Sequence, residues 1–234
     1  MKPNNDEFCI LPWVHASISN TGKVSPCCRI IQYNPEPFGS LHKDTLADIR
    51  ANPRFKEFRE MMLNGQTPLN CKECHLQEMA NMPTLRTLFN KKYESIAQKV
   101  KTNKINELLA MKYGEVRFSN VCNLACRTCG IESSSRWHKD HITIHGDSKK
   151  VFHSHANKDQ GLISDFIKNI DEVDTIYFAG GEPLLQQGHY ELLQTLIEMN
   201  RTDITLVYNS NLTTLKLGSN HVFHLWEKFK TVTI

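Results

Sequence analysis

The stretch that decides the fold is EVRFSNVCNLACRTCG, residues 115–130, where cysteines directly follow a short alternating run. Val116 and Phe118 alternate with polar neighbours, which is typical of a β-strand. The cysteines are spaced CxxxCxxC and are Cys122, Cys126 and Cys129. Three thiolates in one segment can bind one face of a 4Fe–4S cluster and leave one iron without a protein ligand. We call residues 119–130 the cysteine loop and expect it to hold such a cluster.

Two simpler interpretations of the cysteine loop stay open on spacing alone. The three cysteines could form a zinc site whose fourth ligand is a histidine such as His138. They could also be unrelated core cysteines, because free cysteine is often buried. A second segment, FAGGEPLL at 178–185, places GGEP at the end of a further predicted strand, and its resemblance to a known second signature, described below, favours the cluster.

Composition sets the class of protein. The 234 residues carry a net charge of +3 and a pI near 8.4, so we expect neither a nucleic-acid partner nor an anionic membrane. No apolar run approaches the roughly 18 residues of a membrane helix, and MKPNNDEF lacks the apolar core of a signal peptide. Eight cysteines without a secretory signal indicate reduced thiols, metal binding and a cytoplasmic location.

The other five cysteines lie in residues 1–80 and are Cys9, Cys27, Cys28, Cys71 and Cys74. The pattern C-x12-G-x4-C runs from Cys9 through Gly22 to Cys27. The intervening residues alternate and contain the turn sequence Asn20-Thr21-Gly22, which predicts a β-hairpin that returns Cys27 to Cys9.

A helix is predicted to deliver the chain to the last two of these cysteines. Asn52-Pro53 has the form of an N-cap followed by proline at the first helical position, and Gly65 is a plausible stop. Cys71 and Cys74 then form a CxxC knuckle. Four thiolates make a complete tetrahedral set for iron–sulfur or for zinc, and with His15 or His75 a zinc site of three cysteines and one histidine is equally possible.

The second half of the chain alternates between helix and strand. Residues 83–112 read as a helical connector that starts at Pro83. From Gly161 onward, apolar stripes predict helices between strands at 175–179, 205–208 and 231–234. Such alternation predicts parallel strands joined by right-handed crossovers, with the chemistry at the strands' C-terminal ends. The cysteine loop, GGEP and Asn209-Ser210-Asn211 all fall at such ends.

The cysteine loop together with GGEP resembles the radical S-adenosylmethionine (SAM) enzymes. The resemblance implies a 4Fe–4S cluster on Cys122, Cys126 and Cys129, whose open iron binds SAM, and reductive cleavage of SAM to start radical chemistry. It also implies SAM-binding residues at the second and third strand ends. These are Gly180, Gly181, Glu182, Pro183, Asn209 and Asn211.

Residues 1–82 resemble the twitch domain, the shortened relative of the SPASM domain that holds an auxiliary 4Fe–4S cluster in many radical SAM enzymes. The resemblance implies that the auxiliary cluster is held by Cys9, Cys27, Cys71 and Cys74. Cys28 is an alternative to Cys27, although only Cys27 satisfies G-x4-C. We therefore expect an α/β protein in which a small cysteine-rich α+β domain, residues 1–82, and a connector, residues 83–112, precede a partial (β/α) radical SAM barrel at residues 113–234.

The sequence departs from the family pattern in three ways. The twitch-like domain usually follows the barrel and here precedes it, and Thr128 stands where a large or aromatic residue is common. The chain supplies about half of the six strand–helix units of a full core. We expect either an incomplete sequence or a half-core that another chain completes.

The resulting functional hypothesis is a radical SAM enzyme acting on an unidentified substrate, with a peptide or protein as the favoured class. Its catalytic residues are not identifiable from the sequence, and the resemblance implies a flavodoxin- or ferredoxin-like electron donor. The alternative is a non-catalytic zinc- or cluster-binding interaction module.

Overall fold

The computed structural model describes residues 7–33, 38–146 and 161–234. The chain divides into two compact units, each discontinuous in sequence. The first comprises Met1–Ser17 and Val24–Met111, and the second comprises Ile18–Lys23 and Lys112–Ile234.

The first unit is mainly helical with short strands. Its elements are α1 (Leu11–Val14), β1 (His15–Ile18), β2 (Lys23–Ser25), α2 (Cys28–Tyr33), β3 (Gly39–Ser40), α3 (Leu46–Ala51), α4 (Pro53–Leu63), α5 (Lys72–Met79), α6 (Leu85–Lys92) and α7 (Glu94–Asn103). The predicted hairpin is confirmed as β1 and β2, and Gly22 adopts φ 71° in the turn between them. The helical turn α1 precedes the hairpin and ends at Val14.

The predicted boundaries of α4 are confirmed and have clear local causes. The Asn52 side chain accepts a hydrogen bond from the Phe55 amide at 2.9 Å, and Pro53 occupies the first helical position. Gly65 follows the helix with φ 71°, a left-handed conformation that favours glycine. These caps direct the chain from α4 toward Cys71.

The connector differs from the single helix expected from Pro83. The described residues form two helices, α6 and α7, and the helical conformation is interrupted at Tyr93 (φ −111°, ψ 36°). Thr84, not Pro83, fixes the start of α6. It is the N-cap residue, and its side chain and that of Thr87 form a reciprocal capping box. Only the backbone geometry at Tyr93 reveals the break, since apolar spacing continues through it.

Two buried arginines connect segments of the first unit through hydrogen bonds to backbone carbonyls. Arg50 is 2% exposed and donates to the carbonyls of Trp13 (3.0 Å) and Leu109 (3.1 Å). Arg59 is also 2% exposed and donates to the carbonyls of Arg50 (3.1 Å) and Asn106 (3.0 Å). Each guanidinium thereby satisfies carbonyls that would otherwise be buried without a donor.

The second unit contains a parallel sheet and its crossover helices. Its elements are β4 (Tyr113–Val116), α8 (His138–His145), α9 (Gly161–Ile167), β5 (Thr175–Phe178), α10 (Gln187–Glu198), β6 (Thr205–Tyr208), β7 (Lys216–Leu217), β8 (Asn220–His221), α11 (Val222–Trp226) and β9 (Thr231–Thr233). The strands run in the order β4-β5-β6-β9, all parallel, with Val116 opposite Phe178 and Phe178 opposite Tyr208.

The parallel order confirms the α/β class expected for this part of the chain. Along β5 and β6 the residues Ile176, Phe178, Leu206 and Tyr208 are buried, while Tyr177 and Val207 are half-buried. The side chains of α10 that pack in the core are His189, Tyr190, Leu192, Leu193 and Leu196. Every helix in the described residues is too short or too polar to span a lipid bilayer.

Candidate functional site

The four N-terminal cysteines predicted as ligands line one pocket in the first unit. They come from the segment before α1, the end of the hairpin and the α5 region, and are Cys9, Cys27, Cys71 and Cys74. The surrounding wall is largely apolar and includes Leu11, Pro12, Ile30, Phe58, Met62 and Leu85. We call this site the cysteine pocket. Its charged lining residues are Arg29, Glu73 and Arg86.

Burial controls the chemistry of the pocket thiols. It raises the pKa of Cys71 to about 12, with a further contribution from neighbouring Cys74. Burial also raises the pKa of Cys9 and of Cys74, while the backbone N–H groups of Leu11 and Arg86 favour the respective thiolates. The thiols of Cys9, Cys71 and Cys74 are therefore protonated at neutral pH, and metal binding must release their protons.

The cysteine pocket distinguishes between the two adjacent cysteines. Cys27 lines the pocket, whereas Cys28 is the first residue of α2 and is not among the lining residues. The hairpin explains this placement, because β2 ends at Ser25 and brings Cys27 back toward Cys9. His15 and His75 are likewise not among the residues that line the pocket.

The cysteine loop follows β4 in the second unit and is closed by hydrogen bonds to its own neighbours. Asn120 donates its side-chain amide to the Ile131 carbonyl at 3.0 Å. Ser134 donates to the Leu124 carbonyl at 2.6 Å, and Trp137 donates its indole N–H to the Cys126 carbonyl at 3.1 Å. Cys126 is exposed, and Cys122 and Cys129 are half-exposed. Local hydrogen bonds therefore hold the backbone of the loop, and its three cysteines are exposed or half-exposed.

The hairpin turn supports this loop from a distant part of the sequence. The Asn20 side chain, 9% exposed, donates to the Glu132 carbonyl at 2.6 Å. The Ile18 carbonyl accepts the Arg117 amide at 3.1 Å. Sequence reasoning assigned Asn20 only to a turn, and no local signal identifies this second role.

The GGEP segment packs directly against the backbone of the cysteine loop. Gly181 donates its amide to the Ser119 carbonyl (2.9 Å), and Glu182 donates its amide to the Val121 carbonyl (2.8 Å). A Cβ on Gly181 would lie 2.1 Å from the Val121 oxygen, and Gly180 adopts φ 110°. Both glycines are therefore required by the approach of the cysteine loop itself.

Glu182 is buried and holds the turn that follows β6. Its carboxylate accepts hydrogen bonds from the Ser210 hydroxyl at 2.7 Å, the Asn211 amide at 2.8 Å and the Leu184 amide at 3.0 Å. The side chain is 1% exposed, so these donors stabilise the carboxylate in place of water. Pro183 is buried directly after it and begins a short 3₁₀ turn at Pro183–Leu185.

The two asparagines after β6 have different surroundings. Asn211 donates its side-chain amide to Asn123 Oδ1 at 3.0 Å and lies 3.9 Å from Cys122 Sγ. Asn123 in turn donates to the Thr213 hydroxyl at 2.6 Å. Asn209 is exposed, and its backbone amide donates to the Phe178 carbonyl. The structure therefore brings the cysteine loop, GGEP and Asn211 together. Asn209 is exposed to solvent at the end of β6.

Neither set of cysteines is arranged around a single ion. Within residues 7–33, 38–146 and 161–234, no three Cys, His, Asp or Glu side chains converge as ligands of one metal ion. The thiolates of a four-iron cluster bind different irons and lie farther apart than the ligands of one zinc ion.

Several residues of these sites escaped the sequence interpretation. Arg86 lines the cysteine pocket although it lies in the predicted connector. Thr213 donates hydrogen bonds to the Asn211 side chain in the turn after β6. Polar residues of this kind have no distinctive spacing, so only the folded contacts identify them.

Comparison with known families identifies the first of the two sites. The family model of SPASM, an iron–sulfur cluster-binding domain, matches residues 9–75. The match contains Cys9, Cys27, Cys71 and Cys74 and favours iron–sulfur over zinc at the cysteine pocket. Searches of curated proteins and of solved structures gave no match to the chain. Residues 9–75 are thus similar to the SPASM iron–sulfur cluster-binding domain.

Proposed function

We propose that this chain is a radical SAM protein and that a second 4Fe–4S cluster binds at the cysteine loop. The observation that carries the proposal is the meeting of three elements at the C-terminal ends of β4, β5 and β6. The cysteine loop, GGEP and Asn211 are joined there by the Gly181 amide, the Glu182 carboxylate and the Asn211 side chain. SPASM domains are characteristic of radical SAM enzymes, which supports the same conclusion.

The fit of the loop to a cluster rests on its donors. Cys122 Sγ accepts the Leu124 amide at 3.5 Å and lies 3.9 Å from Asn211 Nδ2, so two N–H groups face the sulfur. Hydrogen bonds to cluster sulfurs tune the reduction potential. Cys122, Cys126 and Cys129 would hold three irons and leave the fourth for SAM. With SAM bound, this cluster supplies the electron that cleaves the sulfonium and starts radical chemistry.

The chain's own residues act by binding and positioning. Gly180 and Gly181 bring the end of β5 against the cysteine loop and expose backbone there to the methionyl group of SAM. Both carboxylate oxygens of Glu182 accept bonds from the protein, so Glu182 acts on SAM through the turn that it fixes. Pro183 fixes the exit from the turn, and Asn209 and Asn211 would supply polar groups for SAM at the end of β6.

The deciding experiment measures SAM cleavage on anaerobically reconstituted protein reduced with dithionite. We expect 5′-deoxyadenosine from the native chain and none from the Cys122→Ala/Cys126→Ala/Cys129→Ala variant. Cys28→Ala is the matched control, because this cysteine does not line the cysteine pocket. Iron at the cysteine loop without 5′-deoxyadenosine would reduce the assignment to a cluster-binding module. Zinc in place of iron there would refute it.

A further inference from the structure

We propose that α6 forms one wall of the N-terminal cluster site and that Arg86 sets the reduction potential of the cluster bound there. The family match ends at residue 75, ten positions before the first residue of α6, Leu85. The inference rests on the iron–sulfur domain and does not depend on SAM chemistry at the cysteine loop.

The first argument is that a side chain of α6 binds the backbone on both sides of Cys9. Asn90 donates its side-chain amide to the Phe8 carbonyl at 2.8 Å. The Asn90 carbonyl oxygen accepts the Ile10 amide, also at 2.8 Å. One side chain of α6 therefore fixes the residues on both sides of Cys9. The Arg86 guanidinium adds a longer contact to the Phe8 carbonyl, at 3.4 Å.

The second argument is the position of Arg86 itself. Its side chain is 6% exposed and lines the pocket beside the four cysteines. Its backbone N–H faces the sulfur of Cys74, and its guanidinium charge acts on Cys9 and on Cys74. Arg86 therefore contributes both a hydrogen-bond donor and a positive charge to the thiolate set.

The ion pair of Arg86 is oriented with its positive end toward the pocket. Arg86 Nε donates to Glu78 Oε1 at 3.0 Å, and the same oxygen accepts the Thr84 hydroxyl at 2.5 Å. Glu78 is 17% exposed and is not among the residues lining the pocket. The carboxylate thus keeps the guanidinium fixed beside the pocket.

Two other charged side chains of opposite sign line the pocket. Arg29 and Glu73 also line it, but they are 37% and 32% exposed and lie 3.9 Å apart. Solvent screens such a pair more strongly than it screens Arg86.

A cluster held by four thiolates is negatively charged and gains one further negative charge when a low-potential donor transfers one electron to it. A fixed, buried cation stabilises the reduced state more than the oxidised state. Arg86 therefore raises the reduction potential of the cluster, and its loss would make the cluster harder to reduce.

The test is an EPR-monitored redox titration of the full chain in which Cys122, Cys126 and Cys129 are replaced by alanine, so that only the N-terminal cluster is observed. In this background we compare Arg86→Gln, Arg86→Lys and Lys91→Gln. Lys91 is the matched control because it is an exposed cation of the same helix that does not line the pocket. Iron and acid-labile sulfide per chain are measured for each variant.

We expect Arg86→Gln to shift the midpoint potential to a more negative value, Arg86→Lys to restore part of the shift, and Lys91→Gln to leave the potential unchanged. Full iron content with an unchanged potential in Arg86→Gln would overturn the proposal. Equal shifts in Arg86→Gln and Lys91→Gln would also overturn it, because they would indicate a non-specific charge effect.

A second variant covers the case in which Arg86→Gln does not retain iron. Glu78→Gln keeps the side-chain shape and removes the charge that partly neutralises Arg86. We expect the potential to shift to a more positive value in this variant. An unchanged or more negative potential in Glu78→Gln would refute a role for the Arg86 charge. Neither outcome bears on SAM cleavage at the cysteine loop, so the two proposals fail separately.

Discussion

The cysteine pocket and the cysteine loop differ in where their cysteines lie in the sequence and in how exposed they are. The pocket gathers Cys9, Cys27, Cys71 and Cys74 from distant segments, with Cys9 and Cys74 buried in an apolar wall. The loop takes its three cysteines from one segment, and Cys126 is exposed.

The two arrangements suit two different uses of an iron–sulfur cluster, namely electron transfer and binding of a small molecule. A complete set of four thiolates in an apolar pocket leaves no position for another ligand and suits electron transfer. Three thiolates in a solvent-facing loop leave one position open for a small molecule. Removing the first site should damage the fold, whereas removing the second should damage the chemistry.

The largest expected effect tests this difference directly. Cys122→Ala/Cys126→Ala/Cys129→Ala should lose about half of about eight irons per chain with little change in unfolding free energy, because the loop faces solvent. Cys71→Ser/Cys74→Ser should lose a similar amount of iron and about 3 kcal/mol or more of stability, because metal binding there is coupled to folding. Iron analysis and urea unfolding under anaerobic conditions measure both. Equal stability losses would contradict the comparison.

Gly181 offers a sharper test of how the loop is supported. Gly181→Ala places a Cβ 2.1 Å from the Val121 carbonyl oxygen, so we expect a cost of about 3 kcal/mol. Gly161→Ala is the control, because no atom of the described residues lies within 4 Å of a Cβ at that position. Urea unfolding measures both variants. A tolerated Gly181→Ala would mean that GGEP does not pack closely on the loop.

Glu182 tests the link between β5 and the turn after β6. Glu182→Gln replaces one acceptor oxygen with a donor group facing other donors, and we expect a loss of about 2 kcal/mol. Glu191→Gln, in which a half-exposed carboxylate is changed, should cost less than about 0.5 kcal/mol. Urea unfolding of the two variants compares them, and similar losses would show that the buried carboxylate does not organise the turn.

The smallest effect concerns acid sensitivity in the second unit. His189 is fully buried in α10, accepts or donates one bond with the Tyr208 hydroxyl at 2.8 Å, and has a pKa lowered to about 3 by burial. The unfolded chain binds a proton below about pH 6.5 and the folded chain does not, so stability falls as pH falls from about 6.5 toward 3. The expected slope is about 1.4 kcal/mol per pH unit.

Urea unfolding at pH 7 and pH 5.5 measures this slope. His189→Gln should flatten it, and His42→Gln, an exposed histidine of the first unit, should leave it unchanged. A slope that persists in His189→Gln would assign the acid sensitivity to other groups.

Local signals predicted much of the secondary structure. The turn at Gly22, the caps at Asn52 and Gly65 and the strand at Thr205–Tyr208 all follow from nearest neighbours in sequence, and the structure confirms them. The spacing G-x4-C also selected Cys27, which lines the cysteine pocket.

Contacts between distant segments could not be predicted in this way. Each of three contacts joins residues that are far apart in the sequence. They are the bond from Asn20 to Glu132, the bonds of Asn90 on both sides of Cys9, and the position of Arg86 in the pocket lining. Their side chains follow no periodicity, because their role is set by which backbone groups the fold leaves without partners. The break at Tyr93 was missed for a similar reason, since it is a feature of backbone dihedrals.

The Asn20 hydrogen bond has a consequence for how this protein can be divided. Residues 18–23 belong to the second unit although both strands of their hairpin are encoded far upstream of β4. A fragment beginning at Lys112 would lack the donor for the Glu132 carbonyl and the acceptor for the Arg117 amide. A synthetic peptide spanning the hairpin should restore order to such a fragment, which makes the chain suited to complementation between separately expressed pieces.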